Sequence, residues 1–319
     1  MRMPVLLKLV ALLFFALNAS AQDRGLLELN LNLKAGSSYL CIMELNQNIT
    51  QTTGGHDQTL KQELLMSWRY DVIGRNDNGD MDIKLTYTRI KVKQDFGFQS
   101  SEYDSDSPPD YIEPSMRGYG AVVGSDLGVR MGKKGHVMEL QGVDSMLDKM
   151  IEDLDLPDSP DKKEMIAMMR SQFGEDAIRQ ALEQITGFYP ESPVKPGDRW
   201  TSETLVSAGF PMKVVDNYTL RSRKNGVANI EVSSVITSSP DSEGAQMGPV
   251  RIFYDIAGSH SGSIEVDEST GLPIRSEIDM SLSGTVRASG IPDEEPQSWP
   301  IRADGRVAVI FEKLEDAEP

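Results

Sequence analysis

From Leu27 the chain alternates: Leu27, Leu29, Leu31 and Leu33 are apolar, with Glu28, Asn30 and Asn32 between them. Lys34-Ala35-Gly36 interrupts, and Tyr39, Cys41, Met43 and Leu45 take up the same two-residue period. Beyond the turn signal Thr52-Thr53-Gly54-Gly55, Leu64, Met66, Trp68, Tyr70 and Val72 are opposed by Ser67, Arg69 and Asp71. A polar turn from Arg75 to Asp80 leads to Ile83, Leu85 and Tyr87, after which the apolar phase slips to Ile90 and Val92. Such a slip predicts a β-bulge near Thr88 or Arg89. One apolar face and one polar face is the pattern of antiparallel strands packed on one side and wet on the other. The strands read as about 12–16 residues long against a usual 5–6, and long strands coil as they twist. The expected fold is mainly β, a strongly curved antiparallel sheet forming a barrel or half-barrel.

The period then changes. Val143, Met146, Leu147, Met150, Ile151 and Leu154 form one stripe of an amphipathic helix. Ser159-Pro160-Asp161 offers an N-cap, a proline at the first helical position and an acid in the first turn, and Met165, Ile166, Met168, Met169 and Phe173 follow. A third helix carries Ile178, Ala181, Leu182 and Ile185 between Gly174 and Gly187. About three amphipathic helices are thus inserted mid-chain. Alternation returns in Ala228, Ile230, Val232, Ser234 and Ile236, in Val250, Ile252, Tyr254 and Ile256, and in Ile274, Ile278, Met280, Leu282 and Val286. A last strand holds Val307, Val309 and Phe311, and Asn225-Gly226 is a strong hairpin signal. The expected organisation is N-terminal strands over 22–142 with a disordered acidic loop near 99–118, a helical insertion over 143–187, C-terminal strands over 188–314, and a frayed acidic tail over 315–319. The alternative is two packed β subdomains separated by the helices.

Residues 1–21 read as a secretory signal peptide: Arg2 and Lys8 precede an apolar run from Val5 to Leu17, and Ala19-Ser20-Ala21 is a small-x-small cleavage site. Cleavage before Gln22 predicts an exported, periplasmic or extracellular protein, and no later stretch is apolar enough to span a bilayer. The net charge of −17 disfavours nucleic acid as a partner. With Cys41 as the one cysteine no internal disulfide can form, so burial and strand pairing must hold an exported fold. Cys41 reads as a buried small hydrophobe. It lacks the lipobox that a bacterial lipidation site needs.

Three pieces of sequence carry a family resemblance. Lys34-Ala35-Gly36 leads into a long strand. Pro193-Val194-Lys195-Pro196-Gly197-Asp198-Arg199-Trp200 follows the helices. Gly258 to Gly262, then Asp267-Glu268-Ser269-Thr270-Gly271-Leu272-Pro273, precede a final long strand. In that order they resemble an uncharacterised family of exported bacterial β-rich proteins, a domain of unknown function. The last turn is more distantly similar to hairpins of periplasmic lipoprotein carriers, half-barrels covered by helices. The family implies no catalytic residue. From the residues themselves, Pro193, Gly197 and Trp200 should shape and anchor the start of a strand, and Asp267 and Gly271 should build a turn.

Candidate chemistry is sparse. His56, His136 and His260 are far apart in sequence, each beside a glycine or turn, and read as isolated surface histidines. No metal-ligand spacing is present, and no metal or other cofactor is expected. Asn76-Asp77-Asn78-Gly79-Asp80 fails as a calcium loop, because Gly74 and Leu85 would fall at the first and last ligand positions. Gly258-Ser259-His260-Ser261-Gly262 has a histidine where a nucleophile elbow needs serine. No catalytic constellation emerges, so a non-enzymatic role is expected. Of 16 methionines, Met146, Met150, Met165, Met168 and Met169 cluster on the helices. Methionine suits adaptable apolar surfaces, and Met146, Met150, Met165, Met169 and Phe173 are the candidate lining of an apolar hollow. The expected function is binding of a lipid, acyl chain or other apolar small molecule within the curved sheet. The alternative is a structural or protein-interaction component of the cell envelope, with the hollow filled by side chains and an envelope protein as partner.

Overall fold

The computed structural model describes residues 25–53, 55–113, 116–153, 166, 169–170, 173–206, 212–238, 244–247, 250–290 and 296–315. The expected signal peptide and the residue Met165 lie outside them. Thirteen strands form a single sheet in which every pairing is antiparallel. They are β1 (Ser38–Thr53), β2 (His56–Arg75), β3 (Met81–Asp95), β4 (Ser100–Asp104), β5 (Asp126–Met131), β6 (Val137–Gln141), β7 (Arg199–Val206), β8 (Met212–Lys224), β9 (Val227–Ser238), β10 (Ala245–Met247), β11 (Val250–Asp267), β12 (Pro273–Ser289) and β13 (Gln297–Lys313). The order across the sheet is β6-β5-β3-β2-β1-β13-β12-β11-β9-β8-β7, with β4 beside β3 and β10 beside β11. The first and last strands meet in the middle, so the two halves of the chain are two arms of one sheet and not two subdomains. The end strands β6 and β7 do not pair with each other. The sheet is a curved, open half-barrel.

The strands run to 20 residues in β2 and 18 in β11, and three inward-facing glycines let them bend. A methyl group at Gly258, Gly262 or Gly284 would sit 2.1, 1.9 or 2.0 Å from a backbone oxygen of the neighbouring strand. Only glycine permits so close an approach, which is how a long sheet coils without splitting. The expected bulge is present at Thr88: Ser67 pairs with Arg89 and Trp68 with Tyr87. Asn225 (φ 54°) and Gly226 (φ 79°) make the tight β8–β9 turn.

Two expectations are corrected. Residues 27–33 are not a strand of the sheet. Leu29, Leu31 and Leu33 are each 1% exposed, but the backbone bonds to three turns instead: Leu27 exchanges hydrogen bonds with Val194, Leu31 N–H donates to Lys133 O, and Asn32 N–H donates to Thr270 O. The segment is a strap that ties together the turns at one end of the half-barrel, with its leucines pointing into the core. The stretch near 99–118 is not a disordered loop throughout. Ser101 and Tyr103 alternate inward on β4, and Arg89 pairs with Asp104 at 2.8 Å, so the acidic run gains a ladder and a cation.

Helices α1 (Arg117–Val122), α2 (Val143–Asp153) and α3 (Glu175–Thr186) complete the described elements. Ile166, Met169, Arg170 and Phe173 are helical, and the rest of the helix expected from Pro160 lies outside the described residues. The side chains of α3 cap the open edge of the sheet at β6. Arg179 donates to Val137 O, and Glu183 accepts from Val137 N–H at 2.8 Å. Thr186 Oγ1 donates to a carbonyl, within 2.9 Å of both Gly135 O and Leu182 O. Capping of this kind removes a bare edge on which another strand could add.

A candidate ligand-binding cavity

Between α3 and the concave face lies a hollow of about 430 Å³, within the range of small-molecule sites. From α3 come Ala177, Ile178, Ala181, Leu182 and Ile185, with Phe173 just before it; from the sheet come Met43, Met66, Trp68, Tyr87, Val232, Ile264, Ile278, Val307 and Val309. Trp68 and Tyr87 stand with ring centroids 6.1 Å apart. Burial pushes the Tyr87 phenol up to about 12. Tyr70 and Trp68 are neighbours, yet the Tyr70 hydroxyl and Trp68 Nε1 are both sealed from solvent without a hydrogen bond of good geometry among the described residues.

The strand register reveals a polar row within this apolar face. Ser202 pairs with Asp216, Asp216 with Ser234, and Ser234 with His260, on β7, β8, β9 and β11. All four line the cavity. Along their strands Asp216 and Ser234 interrupt apolar stripes, between Val214 and Tyr218 and between Val232 and Ile236, and His260 stands between Gly258 and Gly262. Ser234 Oγ donates to Asp216 Oδ1, and Ser202 Oγ donates to Asp216 Oδ2 at 3.4 Å. Desolvation pushes the His260 imidazole below its ordinary range, against the opposing pull of Asp216. Burial thus favours its neutral form, and no hydrogen-bond partner is found for it among the described residues. This corrects its reading as an isolated surface histidine; His56 and His136 are exposed.

Serine, histidine and aspartate together invite comparison with a hydrolase triad, and the geometry differs. Ser234 gives its proton to Asp216, and neither Ser234 nor Ser202 is hydrogen-bonded to the His260 imidazole as a triad requires. Among the described residues no group of three His, Cys, Asp or Glu side chains is placed to hold a metal ion. The row is suited to hydrogen bonding with a guest.

Of the lining residues expected from the sequence, Phe173 borders the hollow. Met146 and Met150 do not: both are 2% exposed on the buried stripe of α2 and belong to the core, as does Met169 at 9%. The stripe that reaches the cavity is that of α3, two residues of which are alanines that leave space. The turn residues expected from the sequence do not line the cavity. Trp200 Nε1 donates to Phe188 O at 2.8 Å, and its ring stacks on Tyr218 at 5.6 Å. Gly197 (φ 97°) donates its N–H to Leu220 O, and Pro193 is exposed beside the Leu27–Val194 bridge. Asp267 Oδ1 accepts from the N–H groups of Ser269 and Thr270 at 2.9 and 2.8 Å. Gly271 (φ 77°) packs against the strap, and its carbonyl accepts from Tyr189 Oη at 2.7 Å. Cys41 is fully buried on central strand β1, and burial pushes its thiol up.

A family model described as "Family of unknown function (DUF6263)" matches residues 78–273. No curated protein matches the chain significantly. Among solved structures, one titled "Lipid-protein interactions in lipovitellin" aligns with a TM-score of 0.47 and 8% identity, over 90% of this chain and 26% of that one. The chain thus spans about a quarter of the lipovitellin chain it matches. Pseudomonas aeruginosa OccK7 (OpdD) aligns with a TM-score of 0.24 and 7% identity, over 88% and 99% of the two chains. The COG4313 outer membrane channel from Pseudomonas putida F1 gives 0.22 and 8%, over 88% and 97%.

Proposed function

We propose that this chain, which belongs to the DUF6263 family of unknown function, is a non-enzymatic binding protein that holds an apolar small molecule, such as a lipid or acyl chain, between α3 and the concave face of its sheet. The observation that carries this reading is the hollow of about 430 Å³ with a predominantly apolar wall. A merely structural half-barrel would fill that space, because a void forfeits dispersion contacts and destabilises the fold. No described helix is long and apolar enough to cross a membrane. Together with the signal-peptide pattern of residues 1–21, this fits an exported carrier.

The test is to purify the protein from its native envelope, identify extracted ligands by mass spectrometry, and weigh the intact complex under native conditions. One apolar ligand per chain is the expected result, with an N-terminus at Gln22. Ala177→Trp, which fills the hollow from α3, should weaken ligand uptake by about tenfold or more without lowering the melting temperature. A ligand-free protein that takes up no apolar probe would overturn the reading.

A further inference from the structure

The apolar wall fixes the tail of a guest, and the polar row fixes its other end. Ser234 is 3% exposed and Asp216 is half-buried, so Asp216 is a carboxylate presented from within the wall and held by two hydroxyls. His260 adds a neutral imidazole with no protein partner among the described residues. The other acid at the cavity, Glu183, is tied to Val137 N–H. No lysine or arginine is among the residues that line the hollow. A carboxylate or phosphate head would therefore meet Asp216 at low dielectric with no cation to balance either charge, an unfavourable arrangement. A head that donates hydrogen bonds meets acceptors on Asp216 and the imidazole.

We infer that the guest is an amphiphile whose polar end is a hydroxyl or an amine, seated on the row Ser202, Asp216, Ser234 and His260 with its chain over Met66 and Ile278, and that free fatty acids and phospholipids are disfavoured. This rests on the apolar-ligand reading above and adds the chemical class of the ligand.

Matched probes separate the two. The delipidated full chain is titrated at neutral pH with dodecanol, dodecylamine and dodecanoate, each followed by its displacement of a fluorescent apolar probe. The alcohol and the amine should each bind about tenfold or more tightly than the carboxylate, because only the last brings a like charge to Asp216. Asp216→Asn should remove most of that discrimination, raising dodecanoate affinity and lowering that of dodecylamine, whose ammonium loses its counter-charge. Ser234→Ala, which keeps the charge, should leave the carboxylate disfavoured. If all three probes bind equally to the unaltered protein, or dodecanoate binds best, the head-group assignment is wrong and the cavity remains an apolar site. If none binds, the apolar-ligand reading itself fails.

Discussion

Gly271 and Asp267 show how single residues hold the closed end of the half-barrel. At φ 77° any other residue at Gly271 adopts the left-handed region, and its Cβ would lie 2.1 Å from Asn30 O on the strap. The conformation alone costs about 1–2 kcal/mol, and the collision must be relieved by moving the strap. Gly271→Ala should therefore lower stability by more than about 2 kcal/mol, read as a shift of the urea midpoint. Partial burial pushes the Asp267 carboxyl up, but hydrogen bonds from Ser269 and Thr270 outweigh it and leave the group below its ordinary value of 3.8. A depressed folded value means that the stabilisation is fully present above the unfolded value and is lost as pH falls through the folded one. Asp267→Asn should thus flatten part of the loss of stability below about pH 4, measured by urea titrations across the acid range. An unchanged acid slope would assign that loss to other depressed carboxylates such as Asp71 and Asp104.

At the scale of elements, alternation made the strands legible, because one side of each faces the core and the other faces water. It also made the strap look like a strand. Period two reports an extended chain with one buried side, and says nothing about where the backbone hydrogen bonds go. Leu31→Ala tests the strap's weight: removing a side chain with 1% exposure should cost about 2–5 kcal/mol, comparable to a core strand position, by equilibrium unfolding. A change near zero would make the strap a surface tail. The helices were legible as stripes, yet the methionine-rich stripe of α2 went to the core and the alanine-bearing stripe of α3 to the cavity. Stripe composition does not say which face of the sheet a helix covers. The polar row was hidden for a related reason. Asp216 and Ser234 each break an apolar alternation in their own strand, and His260 stands between two glycines, all visible signals, but only the pairing register shows that the three coincide.

The sheet is one continuous ladder in which β1 and β13 join the two arms, and this has a consequence for how it opens. Cys41 on β1 pairs with Trp68 on β2 and Phe311 on β13, and it is fully buried. A reagent reaches its sulfur only if the sheet and the groups packed over that face part, and the raised thiol pKa suppresses the reactive thiolate further. Because the cavity is lined from both arms, by Met66 and Trp68 on one side and by Val232, His260 and Ile278 on the other, a guest should oppose that parting. A ligand present at 100 times its Kd stabilises the closed state by about 2.7 kcal/mol, which corresponds to about a hundredfold fall in the open population. Labelling of Cys41 by an aromatic disulfide, slow in the free protein, should therefore slow about a hundredfold further when the ligand saturates. Fast labelling of the free protein would show that the arms separate without global unfolding. Slow labelling that ignores the ligand would place the guest on one arm alone, outside the space that both enclose.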